Sequence, residues 1–177
     1  MVPIPKIIEN VREDILKTSR ELLVSEGYKA LTIRRVAGIC GIASGTVYNY
    51  FPSKEDLAAA IMLEDWQREM GIAADACRTA QDPMDGLETL FDTIHGYGAL
   101  YAAAWSQYGG AASVPAQYHR LLIGQLCGMI GPMLERRGVP DAPALAGFFA
   151  ETLLHFSLRS ESSFADIRPF LQKLMGE

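Results

Sequence analysis

Between Thr32 and Lys54 the chain collects side chains suited to gripping an anion and reading polar edges. Ser44, Thr46, Tyr48, Asn49 and Tyr50 crowd hydrogen-bonding groups into one short stretch, with only Val47 and Phe51 as apolar anchors. A helix serving stability alone has no use for so many polar groups and two tyrosines in so short a run. Gly45 lets the backbone approach a sugar-phosphate closely. Lys54 opens the next helix, where a cation opposes the macrodipole, so a bound phosphate explains it better than helix stability does. From Lys29 to Lys54 there are four basic residues, the other two being Arg34 and Arg35, and no acid. The chemistry is that of a surface for a polyanion, with hydroxyls and an amide able to discriminate among polar edges.

The elements that position these groups are short helices. Thr32 is an N-cap for a helix over Ile33–Cys40, whose inner face is Ile33, Val36, Ala37 and Cys40. Gly41 breaks it. Ser44 opens a second short helix over Gly45–Phe51, closed by Pro52. Ser53, with Asp56 close to a capping-box position, starts a long helix at Lys54 that runs to about Ala80. Short helix, glycine turn, short helix is the helix-turn-helix arrangement, in which the first crosses the phosphate backbone and the second enters the major groove. An amphipathic helix from about Ile7 to Glu26, striped by Ile8, Val11, Ile15, Ser19 and Leu22 and ended by Gly27, completes a three-helix unit.

Leu31–Ala37, reading Leu-Thr-Ile-Arg-Arg-Val-Ala, and Gly41–Leu57, with Gly-Thr-Val-Tyr-Asn-Tyr-Phe followed by Pro-Ser-Lys-Glu-Asp-Leu, resemble the DNA-binding domain of the tetracycline-repressor (TetR) family. The resemblance spans roughly residues 8–60. It implies that Thr32 caps the second helix and touches a phosphate. Arg34, with Arg35 beside it, matches a position able to reach a guanine edge. Ser44, Thr46 and Asn49 are implied at or next to base edges, Gly45 close to a sugar-phosphate, Tyr48 and Tyr50 at phosphates, and Lys54 on the backbone. One departure is Gly38, inside the second helix, which should cost up to ~1 kcal/mol. The resemblance further implies a symmetric dimer on a palindromic stretch of double-stranded DNA.

The rest of the chain reads as apolar helices. Leu87, Phe91, Ile94, Gly98, Tyr101, Trp105 and Tyr108 step by four and three, with Gly96 and Gly98 as points where the helix could bend or split. A helix over Pro115–Arg137 contains Pro132 and is expected to kink near Gly131. Two more helices cover about Ala142–Ser160 and Phe164–Met175. Trp66, Met70, Phe91, His95, Tyr101, Trp105 and Met129 are the candidates to line an apolar pocket for a small-molecule effector. The segment Ala142–Leu158 holds one charge, Glu151, and apolar residues on every side, so it needs cover on every side. A second copy of the chain is expected to supply it, through Leu145, Phe149, Leu153 and Phe156 together with Ile167, Phe170, Leu171 and Leu174 of the last helix.

Composition limits the alternatives. The 177 residues, 49% hydrophobic and 21% charged, describe a folded chain. The net charge is −5, yet residues 1–57 carry +1 and the remainder −6. No apolar run is long enough to span a membrane, and Met1–Asn10 lacks a signal-peptide pattern, so a cytoplasmic location is expected. Cys40, Cys77 and Cys127 and the three histidines have no metal-ligand spacing, and no cofactor or metal is expected. No nucleophile-base set, phosphate-binding loop or paired carboxylates support an enzyme. The expectation is all-α: a helix-turn-helix DNA-binding domain over residues 1–53 and an antiparallel helical ligand-binding and dimerisation domain over 54–177. The function expected is that of a DNA-binding transcriptional regulator, a repressor released by an apolar or amphipathic ligand. The alternative is a regulator controlled by a protein partner or without a ligand.

Overall fold

The computed structural model describes residues 10–107 and 116–176, with no account of the side chains between 103 and 118. Eight α-helices and no strand are present among the described residues. They divide into two compact units, Met1–Asp65 and Trp66–Glu177, and the division falls inside one helix, beyond the 53/54 boundary expected from sequence.

In the first unit, α1 (Val11–Glu26) buries Ile15, Leu16, Ser19, Leu22 and Leu23. It begins at Val11, after Asn10 in a left-handed conformation (φ 71°), and not near Ile7; Ile7 and Ile8 lie outside the described residues. Gly27 ends it at φ 82°, its N–H returning to the Leu23 carbonyl. The second helix, α2 (Ile33–Cys40), begins where the Thr32 hydroxyl accepts from the Arg35 N–H at 3.2 Å. Its inner face is Ile33, Val36 and Ala37; Cys40 is only half-buried, with Sγ 3.4 Å from the Thr18 hydroxyl. Then come α3 (Ser44–Tyr50) and α4 (Lys54–Thr79). Ser53 and Asp56 cap α4 reciprocally: the Asp56 N–H donates to Ser53 Oγ at 3.0 Å and the Ser53 hydroxyl to Asp56 Oδ2 at 2.7 Å.

Three ion pairs tie α1 to Glu64 and Asp65 of α4. Arg20 Nε donates to Asp65 Oδ1 at 2.7 Å, and Asp65 is only 1% exposed. Arg12 and Arg20 both reach Glu64, at 3.1 and 3.4 Å. A buried carboxylate needs such a partner to offset its lost hydration. Leu57, Ala58 and Ile61 close the apolar side of the same helix.

The second unit holds the rest of α4 with α5 (Pro83–Gln107), α6 (Ala116–Arg137), α7 (Ala142–Ser157) and α8 (Phe164–Met175). Trp66, Met70, Ala73 and Cys77 are the buried stripe of α4 here. Gly96 and Gly98 do not split α5, and Pro132 lies inside an uninterrupted α6. Gly86 allows α5 to press against α6, since a Cβ there would overlap the Met133 thioether. The Arg136 guanidinium caps the end of α4 through the Cys77 carbonyl at 2.9 Å. Helix α7 packs against α5, α6 and α8 of its own chain. These helices cover one side of α7 and leave Phe148 on the other exposed, which narrows the expectation drawn from that circumference. Phe149, Leu153, Ile167 and Leu171 are core residues of this chain, at 0–3% exposure, and present no surface to a partner. None of the described helices is long and apolar enough to cross a membrane.

Candidate nucleic-acid interface

The turn between α2 and α3 depends on Gly41, whose φ of 66° suits glycine, and on the Ile42 N–H returning to the Ala37 carbonyl at 3.0 Å. Val47 is fully buried and Phe51 nearly so, and these two anchor α3 to the unit. The polar positions are thereby left outward. Tyr48 is 52% exposed and Tyr50 46%, Gly45 and Asn49 are exposed, and Ser44 and Thr46 are half-buried. No side-chain cap closes the start of α3.

Beside α3 lies an open concavity of about 440 Å³, lined by Thr32, Ile33, Arg34, Tyr48, Pro52, Ser53, Lys54 and Glu55. It brings together four of the residues expected to meet DNA: Thr32, Arg34, Tyr48 and Lys54. Ser44, Gly45, Thr46, Asn49, Tyr50 and Arg35 lie outside it. Arg34 is exposed and makes no hydrogen bond or ion pair among the described residues. Its neighbour differs. Arg35 grips Glu26 with both terminal nitrogens, at 2.6 and 2.8 Å, and so carries its own counter-ion from the end of α1. That fork holds the Glu26 carboxyl below the usual carboxylate range.

Glu26 and Tyr28, and the charge of Glu55, contribute here without a role assigned to them by the sequence. The Lys54 ammonium lies 3.8 Å from the centre of the Tyr28 ring. The Tyr28 hydroxyl donates to Glu55 Oε1 at 3.0 Å. Glu55 is held below its usual range first by its own backbone N–H and then by this hydroxyl. The only available signal was Tyr28 following the helix-ending Gly27.

The candidate pocket residues separate into two groups. Trp66 meets Tyr97 edge-on at 5.2 Å, Tyr97 lies 5.0 Å from Tyr101, and Trp66 Nε1 donates to Gln125 Oε1 at 2.8 Å. Elsewhere His95 stacks on Phe91 at 6.0 Å and donates from Nδ1 to the Ser157 carbonyl at 2.8 Å, while Phe164 packs against Phe91. Met70 is buried and Met129 half-buried. Trp105 lies outside the described side chains. The Cys77 thiol is pushed up to about 11 by burial. No cluster of His, Cys, Asp or Glu among the described residues could hold a metal ion.

Of the residues expected at a dimer interface, Phe170 (69% exposed) and Leu174 (47%) are open, and Leu145 and Phe156 are half-buried. Phe148 on α7, 54% exposed, joins that set.

Residues 15–61 match the sequence profile of bacterial regulatory proteins, tetR family. The HTH-type transcriptional regulator UidR of Escherichia coli (strain K12) is 26% identical over 106 residues, which are 60% of this chain and 50% of UidR. The chain thus spans about half the length of that relative. A transcriptional regulator from Cytophaga hutchinsonii has the same fold, with a TM-score of 0.71 at 14% identity, covering 93% of this chain and 94% of that one. The regulator FadR from Bacillus subtilis, solved in complex with stearoyl-CoA, aligns with a TM-score of 0.57 at 14% identity, over 93% and 97% of the two chains. With its helix-turn-helix motif in place between Thr32 and Phe51 and its described residues all helical, the chain carries, over residues 15–61, a segment that matches the tetR family of bacterial regulatory proteins.

Proposed function

We propose that this chain is a cytoplasmic, DNA-binding transcriptional regulator that acts as a dimer on a palindromic operator. The observation carrying this reading is the concavity beside α3. There Arg34, unpaired among the described residues, and Lys54 face outward with Thr32 and Tyr48, on a chain whose net charge is −5. Basic groups gathered on one surface of an acidic protein are an electrostatic footprint for a polyanion. Base-edge reading falls to Arg34, Thr46 and Asn49, and backbone contact to Thr32, Tyr48, Tyr50 and Lys54. Affinity for duplex DNA should fall steeply as salt rises, because each phosphate contact releases counter-ions. Affinity that stays constant across a salt titration would remove this reading.

A repressor released by an amphipathic ligand is the finer form of the proposal. Its support is the buried aromatic set Trp66, Tyr97 and Tyr101 with the Gln125 amide on Trp66, and the fold shared with a regulator solved with stearoyl-CoA. Long-chain acyl-CoA is the ligand class to try first. Binding beside Trp66 should change its intrinsic fluorescence and release DNA, and DNA should weaken ligand binding by the same factor. Acyl-CoA that leaves both the fluorescence and DNA affinity unmoved would exclude that class.

A further inference from the structure

Lys54 and Glu55 stand side by side at the start of α4, and both line the concavity. A polyanion docking there meets one favourable and one unfavourable charge. Left to themselves the two long side chains share the same solvent, and the carboxylate offsets much of what the ammonium offers. Tyr28 separates them. Its ring is 8% exposed and packed at the end of α1, so it is a fixed platform. The Lys54 Nζ rests on the ring face at 3.8 Å from the centroid, well within cation–π range. The phenol edge holds Glu55 Oε1 at 3.0 Å. A leucine would fill the same core space and do neither.

We propose that Tyr28 is a positioning residue for backbone contact, presenting the Lys54 ammonium to a phosphate on its ring face while its hydroxyl restrains the Glu55 carboxylate. The inference rests on reading the concavity as a DNA contact. It assigns Glu55 the part of a restrained repulsive charge. The ring face and the hydroxyl are separable by substitution: Tyr28→Phe keeps the first and frees Glu55, whereas Tyr28→Leu loses both.

The test uses the full chain and a mixed-sequence duplex, since a backbone contact acts on every sequence. Tyr28→Phe should weaken binding about three- to tenfold, the scale on which one freed carboxylate repels a nearby phosphate through water. Adding Glu55→Gln in that background should restore affinity to within about twofold of wild type, because the freed charge is gone. Tyr28→Leu should also lower the salt slope by about one phosphate contact. Thermal unfolding of each variant separates this from loss of fold. Independently of DNA, the Lys54 side-chain protons should show an upfield ring-current shift in wild type and Tyr28→Phe and lose it in Tyr28→Leu. Unshifted Lys54 protons in wild type, a Tyr28→Phe variant that binds as wild type, or a loss that Glu55→Gln does not reverse would each overturn the proposal. Wild type that shows the Lys54 shift but binds no duplex would instead overturn the DNA reading, and this role with it.

Discussion

Arg34 and Arg35 are neighbours in the sequence and differ in everything that decides their use. Arg34 is exposed beside Lys54 and Thr32, with no ion pair among the described residues. Arg35 is neutralised by a two-point fork to Glu26. Arg34→Ala is therefore expected to lower discrimination at one base position by ~1–3 kcal/mol, while Lys54→Ala weakens operator and random duplex alike. Arg35→Ala should cost less DNA affinity than either, as competition binding on operator variants would reveal. If Arg35→Ala costs most, the fork opens on binding. The same fork gives a pH prediction. The Glu26 carboxyl is lowered in the folded chain, so the unfolded chain takes up its proton more readily, and stability from the pair rises with pH. It is complete above the ordinary carboxylate range and is lost as pH falls through the lowered value. Glu26→Gln should flatten the acid limb of thermal-unfolding midpoints between about pH 5 and pH 3; an unchanged limb would mean the fork contributes nothing. The types and spacing of Thr32, Arg34, Tyr48 and Lys54 were legible in the sequence because their chemistry is local. Which arginine is occupied was not, because Glu26 meets Arg35 only once α1 and α2 have packed.

At the scale of the element, helix boundaries set by short-range chemistry could be read directly. Helix α2 starts and ends as expected because Thr32 caps it and Gly41 terminates it, and α8 because of the Ser163–Asp166 box and Gly176. The apolar stripe continues to Ile8, outside the described residues, while the described α1 opens at Val11 after Asn10 in a left-handed conformation. For α7 an apolar circumference says that cover is needed, and nothing local says that α5, α6 and α8 provide it on one side while Phe148 stays exposed on the other. Likewise Arg20 and Asp65, 45 residues apart, carry no sequence mark of their pairing. Gly38 within α2 and Gly41 just past its end give opposite predictions. Gly38 is exposed in ordinary helical conformation, and a Cβ there meets no atom within 4 Å. Gly38→Ala should stabilise the chain by ~0.5–1 kcal/mol. Gly41, at φ 66°, should lose about 1–2 kcal/mol on change to alanine. Urea midpoints for the pair decide this; a destabilising Gly38→Ala would overturn the reading of Gly38 as an unstrained, uncrowded helical position.

For the molecule as a whole, operator affinity depends on how many phosphates are neutralised at once. One unit offers Lys54, Arg34 and a few hydroxyls, on a chain with a net charge of −5 that a polyanion otherwise repels. A dimer doubles those contacts within one binding event and reads two half-sites, which turns modest local affinity into a specific complex. The surface for it must be apolar and must survive folding uncovered. Phe149, Leu153, Ile167 and Leu171 fail the second condition, whereas Phe170, Leu174 and Phe148 satisfy both. Phe170→Glu places a charge on a side chain that is already 69% exposed, so the fold should tolerate it within about 0.5 kcal/mol. Phe149→Glu, at 0% exposure, puts the charge in the core and should unfold the second unit. Sedimentation velocity should therefore find wild type dimeric and Phe170→Glu monomeric with an unchanged helical spectrum. The salt slope of DNA binding should then fall to about half, because only one half-site is engaged. A Phe170→Glu chain that remains dimeric would move the interface off α8. A monomer that keeps wild-type operator affinity would show that one unit suffices and that the dimer serves something other than DNA binding.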